Sequence, residues 1–160
     1  MRVVALALAL VLCSTAGFAA SLGEGVVMPL AKGQDLLDQC SRDTPDVTSY
    51  WLPDAGQIAD LEKALDPAIA SALAKRVEMA PDQGYDRQYI GIVTGGQKRI
   101  YINGFIHELR ETKGAEVSYP PKEFWRTNAV VICGGGSYYF GAIYDLATKK
   151  FSDFAFNGMK

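Results

Sequence analysis

The sequence is poor in the residues that usually do chemistry. It holds one histidine, His107, and three cysteines in 160 residues. Neither a C-x-x-C nor an H-E-x-x-H pattern occurs, and so few soft ligands cannot close a zinc site without help from carboxylates. "DQGYD" (82–86) offers two aspartates but lacks the ligand ladder and closing glutamate of a calcium loop. Basic residues are scattered. No cluster exceeds Lys98-Arg99 or Lys149-Lys150, so the concentrated positive face that phosphate backbones require is missing. Beyond the first twenty residues no apolar run approaches the length of a bilayer span. These absences predict no metal, no cofactor, no nucleic-acid partner and no transmembrane segment once the leader is removed.

What is present begins with a leader. "MRVVALALALVLCSTAGFAA" carries one basic residue, Arg2, then an apolar run from Val3 to Leu12 and a stretch of small residues. This is the layout of a secretory signal peptide, with Gly17-Phe18-Ala19 as the cleavage motif. A lipid anchor on Cys13 is disfavoured by the bulky Leu12 before it. The expectation is a signal peptide at 1–19, a single domain at 20–160, and a periplasmic or secreted location. Removing Arg2 from the 16 basic residues leaves 15 against 18 acidic ones, a mature charge of about −3. Cys13 leaves with the signal, so Cys40 and Cys133 remain, and an oxidising compartment favours their pairing. In the chain-entropy model, closing a loop of roughly 94 residues stabilises the fold by roughly 4–5 kcal/mol.

The chain then divides into a helical and a β-rich part. "GQDLLDQC" (33–40) has the spacing of two helical turns with Leu36, Leu37 and Cys40 inward. "SRDTPDVTSYW" is rich in turn formers and reads as a loop. "PDAGQIADLEKAL" starts a helix: Asp54 and Gln57 form a capping-box pair, and Pro53 and Ile58 a staple. Ile58, Leu61, Leu65, Ile69 and Leu73 make one apolar stripe, with Pro67 placed to kink or restart the helix. "RQYIGIV" and "KRIYINGF" flank "TGGQ", a hairpin signal. "TNAVVIC", "SYYFGAIYD" and "KFSDFAFNG" read as further strands, divided by "CGGG" and "LATK". Helix first and hairpins after predict an α+β domain. The expected picture is one helix on a curved, four- to five-stranded antiparallel sheet, cystatin-like in element order alone.

"CGGGSYYF" (133–140) admits three readings. A phosphate loop needs a Lys followed by Ser or Thr and then a helix, and here strand-forming residues follow. A catalytic thiol needs a base within reach, and His107 opens a polar stretch. A glycine-rich turn, with Cys133 at a strand end bonded to Cys40, is preferred. Gly91 and Gly141, inside strands, predict bends or the close approach of a ring or helix to the backbone.

Loop carboxylates Glu108, Glu111, Glu116 and Glu123 could form a hydrolytic pair, but nothing raises one above another. Aromatics crowd the last seventy residues. Most are expected to be core; Tyr119, Trp125, Tyr138 and Tyr139 are the candidates for a recognition face, beside the long 107–125 stretch.

From Trp51 to Gly158, "WLPDAGQIADLEKAL", "RQYIGIV", "IYIN" and "VVICGGGSYYFGAIYDLATKKFSDFAFNG" resemble a family of small exported proteobacterial proteins. The resemblance implies export and one compact domain, and carries no activity or site with it. The resulting expectation is a non-enzymatic envelope protein that binds or inhibits another envelope or extracellular protein. The alternatives are a small hydrolase using loop carboxylates or Cys133, and a small-ligand carrier.

Overall fold

The computed structural model describes residues 23–76, 84–106 and 123–158. Eight elements follow in order: strand β1 (Gly25–Val27), helix α1 (Gly33–Leu37), strand β2 (Ser49–Trp51), helix α2 (Ala55–Leu73), and strands β3 (Tyr85–Thr94), β4 (Gln97–Ile106), β5 (Tyr139–Asp145) and β6 (Lys150–Phe156). Short 3-10 turns cover Leu30–Lys32, Phe124–Arg126 and Gly136–Tyr138. The architecture is α+β, as expected.

All strands join one open sheet of six, in the order β1-β3-β4-β5-β6, with β2 also on β3. Four or five antiparallel strands were the expectation. The difference comes from β1 and β2, each three residues long and too short for alternation to show. They share one edge of β3: β1 runs parallel to Arg87–Tyr89, and β2 antiparallel to Gly91–Val93. The long β3–β4 hairpin turns at Gly95-Gly96, as "TGGQ" predicts.

Helix α2 begins where the capping box places it. The Asp54 carboxylate accepts from the Gln57 N–H at 2.8 Å, and the Gln57 side chain accepts from the Asp54 N–H at 2.9 Å. Such a cap stabilises a helix by about 1 kcal/mol. Of the two expected outcomes at Pro67, a kink or a restart, there is no restart: the helix continues through Pro67 as one element. Lys63, whose carbonyl loses its partner N–H to the proline, is exposed like Pro67 itself, so water can satisfy that carbonyl.

The apolar stripe of α2 (Leu61, Leu65, Ile69) covers one face of the sheet, meeting Tyr89, Ile100, Ile102, Phe140, Ala142 and Tyr144. Phe140 stacks on Phe154 at 5.0 Å and meets the edge of Tyr85. Within this face Arg87 is buried. It donates to both Glu62 oxygens at 3.0 Å, and the Tyr89 hydroxyl donates to the same carboxylate. Burial pushes the Tyr89 hydroxyl well above its ordinary range, opposed by Arg87 and reinforced by Glu62. The network ties α2 to β3.

The opposite face holds a second cluster: Met28, Leu36, Leu37, Ile90, Ile92, Tyr101 and Ile143. Leu36 and Leu37 point inward as expected, while Cys40 is exposed beyond the end of α1. Both sheet faces are therefore covered along β3 and β4, and most of the described aromatics are buried or packed against one of the two clusters.

Candidate functional site

"TNAVVIC" does not form the expected strand. β5 pairs directly with β4, and residues 129–133 are coil, so Cys133 does not end a strand and the expected hairpin through "CGGG" is absent. The β-branched run is diverted because buried side-chain amides take its backbone groups. Gln88, fully buried in β3, donates through Nε2 to the carbonyls of Trp125 (2.5 Å) and Asn128 (2.7 Å). Its Oε1 accepts from the Val130 N–H at 3.0 Å and from Asn103 Nδ2 at 3.2 Å. Asn103 and Gln39 both donate to the Val130 carbonyl, at 2.9 and 3.1 Å. Asn157 donates to the carbonyls of Ile132 and Gly134 at 2.7 and 2.9 Å. Four buried amides thus do for this coil what a neighbouring strand does in a sheet.

Two further restraints lie at its C-terminal end. Cys133 is bonded to Cys40, with Cα atoms 5.4 Å apart across a sequence separation of 93. The Gly134 N–H donates to Ser41 Oγ at 2.8 Å. Gly134, Gly135 and Gly136 then adopt φ values of 97°, 82° and 54°, a left-handed run that only glycine enters without strain. The glycines turn the chain from the amide-held coil into β5; they form a turn, but not the expected hairpin turn between two strands. The Cys133 sulfur is engaged in the disulfide, so this form offers no thiolate for a catalytic pair.

The clamped coil carries apolar groups outward. Among the described residues five large hydrophobics are exposed, and three of them, Phe124 (41%), Val131 (43%) and Tyr138 (46%), lie on this one segment. Trp125 is half-buried, its ring edge-on to Phe105 at 5.6 Å with the Arg126 guanidinium 4.7 Å from its centroid. Tyr139 lies across the β4–β5 ladder from Phe105, with its ring against Gly135. Trp125 and Tyr139 therefore flank Phe105 on the clamped face, whereas Tyr138 stands in the turn that precedes β5. Tyr85, on the α2 face, donates to the Ser137 carbonyl beside it at 2.6 Å.

Tyr119, His107, Glu108, Glu111 and Glu116 lie outside the described residues. Glu123 is exposed and accepts from Arg126. Among the described residues no group of His, Cys, Asp and Glu converges as a metal site, and no helix is long and apolar enough to cross a membrane.

A second feature lies on the same face. A cleft of about 410 Å³ opens between the 42–46 loop and strands β4 to β6. Arg42 and Tyr101 line it, with Gly141 and Ile143 also in its wall. Arg42 Nη2 donates to Asn103 Oδ1 at 2.6 Å, whereas its Nε and Nη1 are buried without a hydrogen-bond partner. Burial pulls the guanidinium below its ordinary range, opposed by Tyr101. The guanidinium rests on Gly141, where a Cβ would stand 2.5 Å from Nη1. Gly91 receives the Trp51 ring in the same way, so both strand glycines mark close approaches.

Gln39, Gln88, Asn103, Asn157 and Arg42 were not singled out from the sequence. The available signal was an uncharged amide inside each of two β-rich runs, "RQYIGIV" and "IYINGF". No family model, curated protein or solved structure matches the chain.

Proposed function

We propose that the protein is an exported, non-enzymatic binding module that recognises another envelope or extracellular protein through the 124–138 segment. The observation that carries this reading is the combination of a preorganised coil with outward apolar side chains. Four buried amides and a disulfide fix a stretch that belongs to no strand, and that stretch displays Phe124, Val131 and Tyr138. Folding alone gains nothing from displaying these groups to water. Binding gains twice, because the coil has already lost the freedom that a partner would otherwise have to remove, and aromatic groups supply large contact area. The Cys40–Cys133 disulfide supports export, since such bonds persist in oxidising compartments. The partner surface should be apolar and concave enough to receive two ring-sized side chains.

The test is capture from an envelope extract with the mature chain and with a Phe124→Ser/Tyr138→Ser variant, both checked for native circular dichroism. One stoichiometric partner that the variant loses supports the reading. A partner retained by the variant places recognition elsewhere. These two residues are better probes than Trp125 and Tyr139, whose rings also pack against Phe105 and Gly135.

A further inference from the structure

The Arg42 cleft is a different matter from the recognition segment. Arg42 enters the sheet face two residues after Cys40 and lies against the one position in β5 that has no side chain, Gly141. Of its three nitrogens only Nη2 has a partner, the Asn103 amide oxygen. No carboxylate among the described residues lies within ion-pair distance of it. Arg99, the other arginine of the cleft wall, is in contrast paired with Asp145 at 3.1 Å. A buried guanidinium with unsatisfied donors and no counter-charge is costly, and proteins seldom keep one without a use.

The rest of the wall narrows what could supply the missing anion. Ile143 and Pro45 give the cleft an apolar side. Asp43, Asp46 and Asp153 stand at its exposed rim. Three rim carboxylates oppose a dianion such as phosphate, since each repels it at short range. They attract a ligand that carries a positive group beside its single negative one. The volume suits a molecule of amino-acid to dipeptide size.

We propose that this cleft binds a small zwitterion with an apolar side chain, a free apolar amino acid or a short peptide of such residues. The ligand carboxylate faces Arg42, its ammonium faces the Asp43, Asp46 and Asp153 rim, and its side chain lies against Pro45 and Ile143. Nothing in this binding depends on the 124–138 surface.

The test is isothermal titration calorimetry of the disulfide-bonded protein with L-leucine, L-phenylalanine, leucyl-leucine, leucinamide, 4-methylpentanoate and inorganic phosphate. The expected result is binding of at least one of the three zwitterions. Leucinamide, which lacks the carboxylate, should bind about tenfold or more weakly, as loss of a charge-assisted pair implies. Phosphate should bind no better than leucinamide. Binding by the dipeptide alone identifies the peptide as the source of the chemistry; binding by the amino acids identifies the free form.

Arg42→Gln should abolish the preference for a carboxylate. Asp46→Asn, on the exposed rim and harmless to folding, should weaken the zwitterion and strengthen 4-methylpentanoate, so the two ligands move in opposite directions. The proposal is overturned if none of the zwitterions binds at millimolar concentration, if leucinamide matches them, or if Asp46→Asn shifts both ligands alike.

Discussion

Beneath α2 the sheet meets Leu61, Leu65 and Ile69, and the buried Arg87 is answered by the Glu62 carboxylate, the Tyr89 hydroxyl and the Tyr85 carbonyl. Across the sheet, over Gln88 and Asn103, the cover is an irregular coil whose backbone is held by amide side chains and a disulfide. The region under α2 is closed by area; the region over Gln88 and Asn103, beside the Leu36–Ile90–Ile143 cluster, is closed by hydrogen bonds in specified directions. Area tolerates sliding and substitution of similar volume; directed hydrogen bonds fix a backbone in one path. The second kind of closure suits a segment whose shape has to be presented to something else.

The comparison can be broken or sharpened by experiment. The largest effect should come from the clamped face. Replacing both Cys40 and Cys133 by serine removes a constraint worth roughly 4–5 kcal/mol in the chain-entropy model, less any relief in the folded state. Urea unfolding would show it as a lower midpoint. Next, on the α2 face, Leu65→Ala empties a fully buried site and should cost about 2–5 kcal/mol without changing partner binding.

Gln88→Leu separates the two modes of closure. If the coil face were a second hydrophobic core, the substitution would be neutral or stabilising. Because it orphans the Trp125 and Asn128 carbonyls and the Val130 N–H, it should instead cost about 1–3 kcal/mol or more. Tyr138→Ala is expected to leave stability within about 0.5 kcal/mol while weakening partner binding by more than about 1 kcal/mol.

The smallest effect concerns acid. The Thr148 backbone N–H and then the Arg99 side chain hold Asp145 below its ordinary range, and Lys149 does the same for Asp60. Both carboxylates have folded values under their unfolded ones. Their contribution is present above about pH 4 and is lost as pH falls through the folded value. Asp145→Asn should flatten the acid limb of a plot of urea midpoint against pH by lowering the midpoint slightly at neutral pH and leaving it unchanged below the folded value.

Local signals in the sequence carried much of the fold. Asp54 and Gln57 placed the start of α2, the glycines of "TGGQ" placed the β3–β4 turn, and two cysteines allowed one pairing. These features depend on residues close in sequence or on counting. The clamp could not be read in the same way. A glutamine at position 88 in an alternating strand ordinarily faces water, and only the tertiary placement of Val130 makes it a buried partner. The same holds for Arg42, which sits in a turn-rich stretch that reads as solvated loop. The run Val130–Ile132 misleads for the converse reason: β-branched residues favour extended backbone, which the coil also uses, so their propensity does not tell a ladder of strands from a ladder of side-chain amides.

Amide hydrogen exchange at Val130 is the most direct test of the account. Its N–H donates only to the Gln88 side chain, so its protection reports the clamp and nothing else. The prediction is protection comparable to the β3–β4 hairpin in the wild-type protein, and rapid exchange in Gln88→Leu while the hairpin amides stay protected. Rapid exchange of Val130 in the wild type would contradict it, because the coil would then have no fixed shape to present.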